Sequence, residues 1–176
     1  MNSKPLASRK PLANSKPSAN RLPSSLYSAA QTRELDRLTI VQGHATGFEL
    51  MQTAGREAFR LLMRRWPDCQ RIIVFCGGGN NGGDGYVVAR LAKQQNIQVA
   101  LVALVAPALL KGEAAEAYAW AAKADVDIRE WSAGTLRVNA SNNTIIVDAM
   151  LGTGLSGKVR APYDSLIQRI NESGYP

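Results

Sequence analysis

Histidine and cysteine are scarce in this chain, which has one histidine and two cysteines in 176 residues. The single histidine, His44, excludes histidine-rich metal sites and leaves little scope for a histidine-dependent catalytic triad. Cys69 and Cys76 are too few for a disulfide framework, and Cys76 lies in an apolar run, where cysteine is usually a small buried hydrophobe. This scarcity is typical of a reducing compartment, and we therefore expect a cytoplasmic protein.

The chain also lacks a long hydrophobic run. Its longest apolar stretch, Val99 to Leu110, is about half a membrane span and contains Pro107. No transmembrane helix is therefore predicted, and we expect no membrane partner. Hydrophobic residues make up 45% of the sequence, which is ordinary for a globular protein.

Acidic residues are absent from residues 1–25, a segment of near-repeats rich in Ser, Lys, Pro, Leu and Ala. Removing its five basic residues from the net charge of +7 leaves +2 for the rest of the chain. That near-neutral balance argues against a nucleic-acid-binding face. We interpret residues 1–25 as a disordered basic tail. A mitochondrial transit peptide is the alternative, although three Lys-Pro pairs would break an amphipathic helix there.

Residues 26–176 are interpreted as one domain in which helices and strands alternate. Apolar runs without polar alternation predict buried strands, and recurrence at helical spacing predicts helices. The predicted strands cover 72–76, 96–105, 125–131 and 144–149, and the predicted helices cover 28–41, 47–66, 86–93, 111–123 and 162–172. This order predicts an α/β fold, a three-layer αβα Rossmann-like parallel sheet with two N-terminal helices. The expected buried face of the second helix consists of Leu50, Met51, Ala54, Ala58, Leu61 and Leu62.

The segment Gly77–Gly85 follows the first predicted strand and contains six glycines in nine positions. We interpret it as a loop between strand and helix, too rich in glycine to be explained by packing alone. Glycine allows a backbone to turn left-handed or to approach a ligand closely. The N-terminus of the helix that follows would direct amide groups toward an anion such as phosphate.

Two common nucleotide-binding motifs do not describe this segment. Gly77, Gly79 and Gly82 match a dinucleotide fingerprint, but so glycine-rich a run would match by chance. No carboxylate occurs in Ile97–Leu110 to hold a ribose, which disfavours an NAD-dependent dehydrogenase. No Gly-Lys-Ser/Thr sequence closes the loop, so it is not a Walker loop.

A second glycine segment, Gly152–Gly157, follows the last predicted strand. Because ligands bind beyond the carboxyl ends of parallel strands, we expect both glycine segments to converge on one site. Asp148, at the end of an apolar strand, is costly to bury without a partner. It is either an oxygen ligand or catalytic carboxylate, or a carboxylate bonded to neighbouring backbone amides.

Both segments resemble one known family, the NAD(P)H-hydrate epimerases, also called the YjeF N-terminal domain. Residues 77–92, GGGNNGGDGYVVARLA, resemble the family's signature, and residues 145–158, IIVDAMLGTGLSGK, resemble its VDALLGTGL element. The likeness runs from about Tyr27 to the last residue. It implies epimerisation of the R and S forms of hydrated NADH and NADPH, a repair reaction with no redox step.

The resemblance also implies a set of site residues. Asn81 and Asp148 would bind a potassium ion, the implied cofactor. The residues expected to line the substrate are Asn80, Asn81, Gly82, Gly83, Asp84, Gly152, Thr153, Gly154, Leu155, Ser156, Gly157 and Lys158. Alternatively, Lys158 is a loop lysine exposed to solvent with no role in binding.

Family members continue into a further strand and a VDIPSG-like element, which carries an Asp thought to act on the ring and a Ser that completes the cation site. This sequence ends at Pro176, so we expect a domain that lacks its last strand and its catalytic Asp. The family further suggests a homodimer and a following ADP- or ATP-dependent dehydratase domain. The alternative function is a non-catalytic scaffold or RNA-binding module of the same fold.

Overall fold

The computed structural model describes residues 26–132 and 143–176. The predicted tail, residues 1–25, lies outside them. Within the described residues, the helices are α1 (Ala29–Val41), α2 (Gly47–Arg65), α3 (Asn80–Gln94), α4 (Gly112–Ala122) and α5 (Tyr163–Glu172). The strands are β1 (Arg71–Cys76), β2 (Gln98–Ala103), β3 (Asp127–Glu130) and β4 (Thr144–Ala149). No helix in this part of the chain is long and apolar enough to cross a membrane.

The sheet is parallel throughout and has the order β3-β2-β1-β4. In register, Val74 of β1 lies between Leu101 of β2 and Val147 of β4. Every residue of β1 from Ile72 to Cys76 is buried. The unbroken apolar run therefore gives a central strand covered on both faces, as predicted.

Alternate residues of β1 face two separate layers of helices. Ile72, Val74 and Cys76 share one hydrophobic cluster with side chains of α2, α3 and α4. Ile73 and Phe75 share the other cluster with Leu166 of α5. Because successive side chains of a strand point to opposite faces, the sheet is sandwiched between helices, and the three-layer αβα prediction is confirmed.

The buried face of α2 differs from the predicted one. The buried residues are Met51, Gly55, Phe59 and Leu62, whereas Ala54, Ala58 and Leu61 are exposed. A Cβ atom at Gly55 would lie 2.5 Å from Cγ1 of Val87, so α2 meets α3 across this glycine. The prediction is confirmed for Met51 and Leu62 and wrong for Ala54, Ala58 and Leu61, because a count of apolar side chains gives no weight to a glycine at a close helix crossing.

At one edge of the sheet, β4 meets the end of the chain. The backbone amide of Ile146 donates to the carbonyl oxygen of Pro176 over 3.0 Å. The expected further strand concerns residues after Pro176 and stays a prediction.

Candidate functional site

The first glycine segment is mostly helix. Only Gly77–Gly79 connect β1 to α3, which begins at Asn80. The prediction of a loop through Gly85 was therefore wrong, and Asn80, Asn81 and Asp84 lie in the first turns of a helix. Spacings of three and four residues put Asn81 and Asn80 on the same face of α3 as Asp84.

The glycines inside α3 are required by close packing. A Cβ atom at Gly82 would lie 2.0 Å from the carbonyl oxygen of Gly77, and one at Gly83 would lie 2.4 Å from Sδ of Met51. At Gly85 it would lie 2.6 Å from Cβ of Ala149. Packing thus accounts for glycines that the sequence alone suggested were reserved for a ligand.

Asn81 joins the two glycine segments. Its side-chain Nδ2 donates to the carbonyl oxygen of Leu151 over 3.0 Å, across a sequence separation of 70 residues. A Cβ atom at Gly152 would lie 3.2 Å from Cβ of Asn81, so a side chain there would crowd the contact. The predicted convergence of the two segments at the carboxyl ends of β1 and β4 is confirmed.

A cleft of about 1210 Å³ opens at this edge of the sheet. The predicted site residues that line it are Asn80, Asn81, Asp84, Gly152, Thr153, Gly154 and Leu155. Gly82 and Gly83 are buried beneath them in α3. Ser156, Gly157 and Lys158 are exposed and lie outside the lining. The binding roles of all these residues remain predictions.

Asp148 also lies outside the lining of the cleft. Its side chain is exposed, and its Oδ1 accepts a hydrogen bond from the backbone amide of Met150 over 2.9 Å. This is the backbone-bonded arrangement that the sequence left open as the alternative. Oδ2 of Asp148 takes no part in this hydrogen bond.

One wall of the cleft comes from α1, which sequence reasoning did not assign to the site. Ala29, Thr32, Arg33 and Asp36 line it, together with Tyr27 just before the helix. Their spacing places them on a single face of α1, and none of the residues of α1 is buried. The sequence signal that could have indicated this wall is the recurrence of the polar residues Thr32, Arg33 and Asp36 at helical spacing.

The cleft contains one carboxyl group with a clearly altered affinity for protons. Asp84 is half-buried, and burial raises its pKa to about 6, because removal from water disfavours the carboxylate. No side chain among the described residues caps α3 at Gly79. The first amides of the helix therefore face the cleft with the positive end of the helix dipole.

The two expected potassium ligands, Asn81 and Asp148, each keep one side-chain oxygen outside the hydrogen bonds described above. Asn81 bonds Leu151 through its amide nitrogen, which leaves Oδ1 for another partner, and Asp148 bonds Met150 through only one oxygen. Amide and carboxylate oxygens are ligands that potassium accepts in place of water. Among the described residues, no group of three or more His, Cys, Asp or Glu side chains could hold a metal. The donor set thus fits potassium better than a transition metal.

Known protein families provide a sequence match. The family described as YjeF-related protein N-terminus matches residues 47–176. A bifunctional NAD(P)H-hydrate repair enzyme from Coxiella burnetii is 44% identical over 85% of this chain and 30% of its own length. An NAD(P)H-hydrate epimerase from Pirellula staleyi is 36% identical over 84% of this chain and 66% of its own length. The chain thus spans less than two thirds of each of these curated relatives.

Solved structures provide a match in fold. A crystal structure of the yeast protein ynu0 superimposes with a TM-score of 0.72 and covers 86% of this chain and 68% of the yeast chain. The two sequences are 22% identical, so this likeness concerns the fold alone.

Proposed function

Since the chain belongs to the family of YjeF-related N-terminal domains, we propose that its cleft binds hydrated NADH or NADPH and interconverts the R and S epimers. The observation that carries this proposal is the hydrogen bond from Asn81 to Leu151. It joins the two glycine segments, which both resemble the family, at one cleft. The names of the relatives from Coxiella burnetii and Pirellula staleyi support the same reaction.

The substrate's phosphates fit the floor of the cleft. Pyrophosphate is an anion, and the uncapped N-terminus of α3 offers backbone amides and the positive end of a helix dipole. Gly78 and Gly79 line the same region, and a Cβ atom at Gly79 would meet no atom within 4 Å. Binding the phosphates here would hold the altered ring elsewhere in the cleft, so that remote binding energy orients the reacting carbon.

We infer that Asp84, which lines the cleft, transfers a proton in this reaction, in addition to the Asp that the family resemblance places after Pro176. Neutral Asp84 protonates the ring hydroxyl, the carbon–oxygen bond breaks, and the lone pair of the ring nitrogen forms an iminium ion as water leaves. The resulting carboxylate offsets the positive charge. Water then adds to the opposite face of the ring and releases a proton, which returns to Asp84 through solvent. A pKa of about 6 suits both halves of this cycle at neutral pH.

Potassium would be held by Oδ1 of Asn81 and the carboxylate of Asp148. A bound cation there would supply positive charge beside the turn that Asn81 and Leu151 close. Asn81 itself would remain bonded to Leu151 and keep the two segments together.

We also propose a partner activity, an oligomeric state and a cellular location for the protein. Relatives called bifunctional repair enzymes support a dehydratase as the partner activity, because this chain spans only 30% and 25% of two of them. A homodimer is proposed from the family resemblance, and a cytoplasmic location from the scarcity of cysteine.

The proposal is tested by following the ratio of the two epimers. The full protein is added to purified S or R hydrate, and chromatography records the approach to the equilibrium ratio. We expect equilibration well above the spontaneous rate from both starting forms. Asn81→Ala should lose most of this acceleration, because it releases the second glycine segment. Arg37→Gln should retain it, because Arg37 is absent from the lining of the cleft and pairs with Glu34. Equal rates with and without protein would contradict the proposal.

A further inference from the structure

The wall of the cleft formed by α1 carries the cation that the proposed substrate needs. The charged residues among those described that line the cleft are Arg33, Asp36 and Asp84. The pyrophosphate of a dinucleotide carries about two negative charges, which an Arg guanidinium can meet with paired hydrogen bonds. Arg33 is the one cation in this set.

Arg33 is available for a ligand, whereas the next arginine of α1 is not. Arg37 donates from Nε and Nη2 to the carboxylate of Glu34 over 2.8 and 2.7 Å. Arg33 forms no ion pair with any residue in the described part of the chain. Its side chain is exposed, so it retains its hydration and freedom until an anion enters the cleft.

The position of α1 suits a second contact with a ligand in the cleft. Arg33 lies on the same helical face as Thr32 and Asp36, and this face lines the cleft together with the segments Gly78–Asn81 and Met150–Leu155. None of the residues of α1 is buried, so core packing does not explain the position of this face. A ligand held between Arg33 and the amides of α3 would connect α1 to the sheet.

We propose that Arg33 binds a phosphate group of the nucleotide substrate across the cleft from the N-terminus of α3. The inference rests on the proposed function, since it needs a phosphorylated nucleotide in this cleft. The phosphate is either the pyrophosphate, common to hydrated NADH and NADPH, or the 2′-phosphate of hydrated NADPH. Asp36, one turn further along α1, would repel phosphate, and it suits the hydroxyl groups of a ribose.

The test compares two arginine variants with three probes. Affinities of the full protein for ADP-ribose, 2′-phospho-ADP-ribose and adenosine are measured by calorimetry, with wild type, Arg33→Gln and Arg37→Gln. Both variants remove one positive charge from α1, so Arg37→Gln controls for net charge. We expect Arg33→Gln to weaken binding of a phosphorylated probe about tenfold to a hundredfold, the range for a hydrogen bond to a charged group. Arg37→Gln should bind every probe as wild type does.

The pattern across the probes identifies the phosphate. Equal weakening of both phosphorylated probes assigns Arg33 to the pyrophosphate, and weakening of 2′-phospho-ADP-ribose alone assigns it to the 2′-phosphate. Unchanged binding of both by Arg33→Gln overturns the inference and leaves the proposed function standing. Equal weakening of adenosine also overturns it, because Arg33 would then act on the shape of the cleft. A wild-type protein that binds no phosphorylated probe contradicts both proposals.

Discussion

In the first turns of α3, the carboxyl group of Asp84 is half-buried in the cleft, and burial raises its pKa to about 6. Its ordinary value is 3.8, so the folded protein binds this proton more tightly than the unfolded chain does. The contribution of this tightly bound proton to the free energy of unfolding is fully present below the unfolded pKa. It is lost as the pH rises through the folded pKa. Asp84 therefore costs the folded protein stability at the neutral pH at which it would act.

Asp84→Asn should stabilise the protein at about pH 7.5 and leave its stability nearly unchanged at about pH 3.5. The full shift corresponds to about 3 kcal/mol, which we reduce to about 1 kcal/mol because the group is partly exposed and screened by solvent. Urea denaturation at the two pH values measures the difference. The same substitution should slow epimerisation by about a hundred- to ten-thousandfold, because it removes the proton donor.

Asp68→Asn is the matched control, since Asp68 is exposed and lies away from the cleft, in the turn between α2 and β1. It should leave the rate of epimerisation as in the wild type. If Asp84→Asn gains no stability as the pH rises, the carboxyl group is not held protonated by burial. If it gains stability but retains full activity, Asp84 is not the proton donor.

At the scale of the elements, the contact between α3 and the loop before it depends on a missing side chain. Gly82→Ala would place a methyl group 2.0 Å from the backbone oxygen of Gly77, and no side-chain rotation relieves this clash. Alanine favours a helix by about 1 kcal/mol over glycine, whereas overpacking against a backbone atom reaches the upper end of its usual range, about 3 kcal/mol. We therefore expect a net loss of about 2 kcal/mol in the free energy of unfolding, measured by chemical denaturation.

Gly79→Ala is the control for this substitution. A Cβ atom at Gly79 would meet no atom within 4 Å, and its φ of −101° suits any residue. Its stability should therefore stay within about 1 kcal/mol of wild type, the range expected for a change of N-cap residue. Equal losses of unfolding free energy in the two variants would mean that the clash with the oxygen of Gly77 is not what destabilises Gly82→Ala.

The same elements mark the limit of what the sequence predicts. The first two helices begin within a residue of their predicted starts, and Ser28 and Thr46 form capping boxes there. The apolar run of β1 gave a central strand. The start of α3 was missed, because glycine-rich sequence is typical of a loop and the tight packing that favours Gly82 and Gly85 in a helix is a tertiary effect. Helical propensity alone cannot reveal such packing.

At the scale of the whole molecule, the sheet brings together what the sequence keeps apart. The rule that ligands bind at the carboxyl ends of strands predicted that the two glycine segments would meet. It could not predict the wall formed by α1, since this helix precedes the first strand and strand order gives no information about it. Nor could it predict that Asp148 lies outside the lining, because that depends on the direction of a side chain at the end of β4.

Potassium should raise the melting temperature of the protein if Asn81 and Asp148 share one ion. At a hundredfold excess over its dissociation constant, a ligand that binds only the folded state stabilises it by about 2.7 kcal/mol. For a domain of this size, that corresponds to about 5 to 10 °C. Melting curves in potassium chloride and in choline chloride of equal concentration separate binding from ionic strength.

Three variants decide whether the two residues act on the same ion. Asn81→Ala and Asp148→Ala should each abolish the potassium-dependent rise in melting temperature, and the double variant should lose no more than either single one. Such non-additivity is expected when two side chains hold a single ligand. Asp68→Ala, an exposed carboxylate outside the cleft, should keep the full response. A response that survives in Asp148→Ala would mean that the carboxylate bonded to Met150 shapes the turn after β4 and is not a ligand, since its Oδ1 is already engaged there.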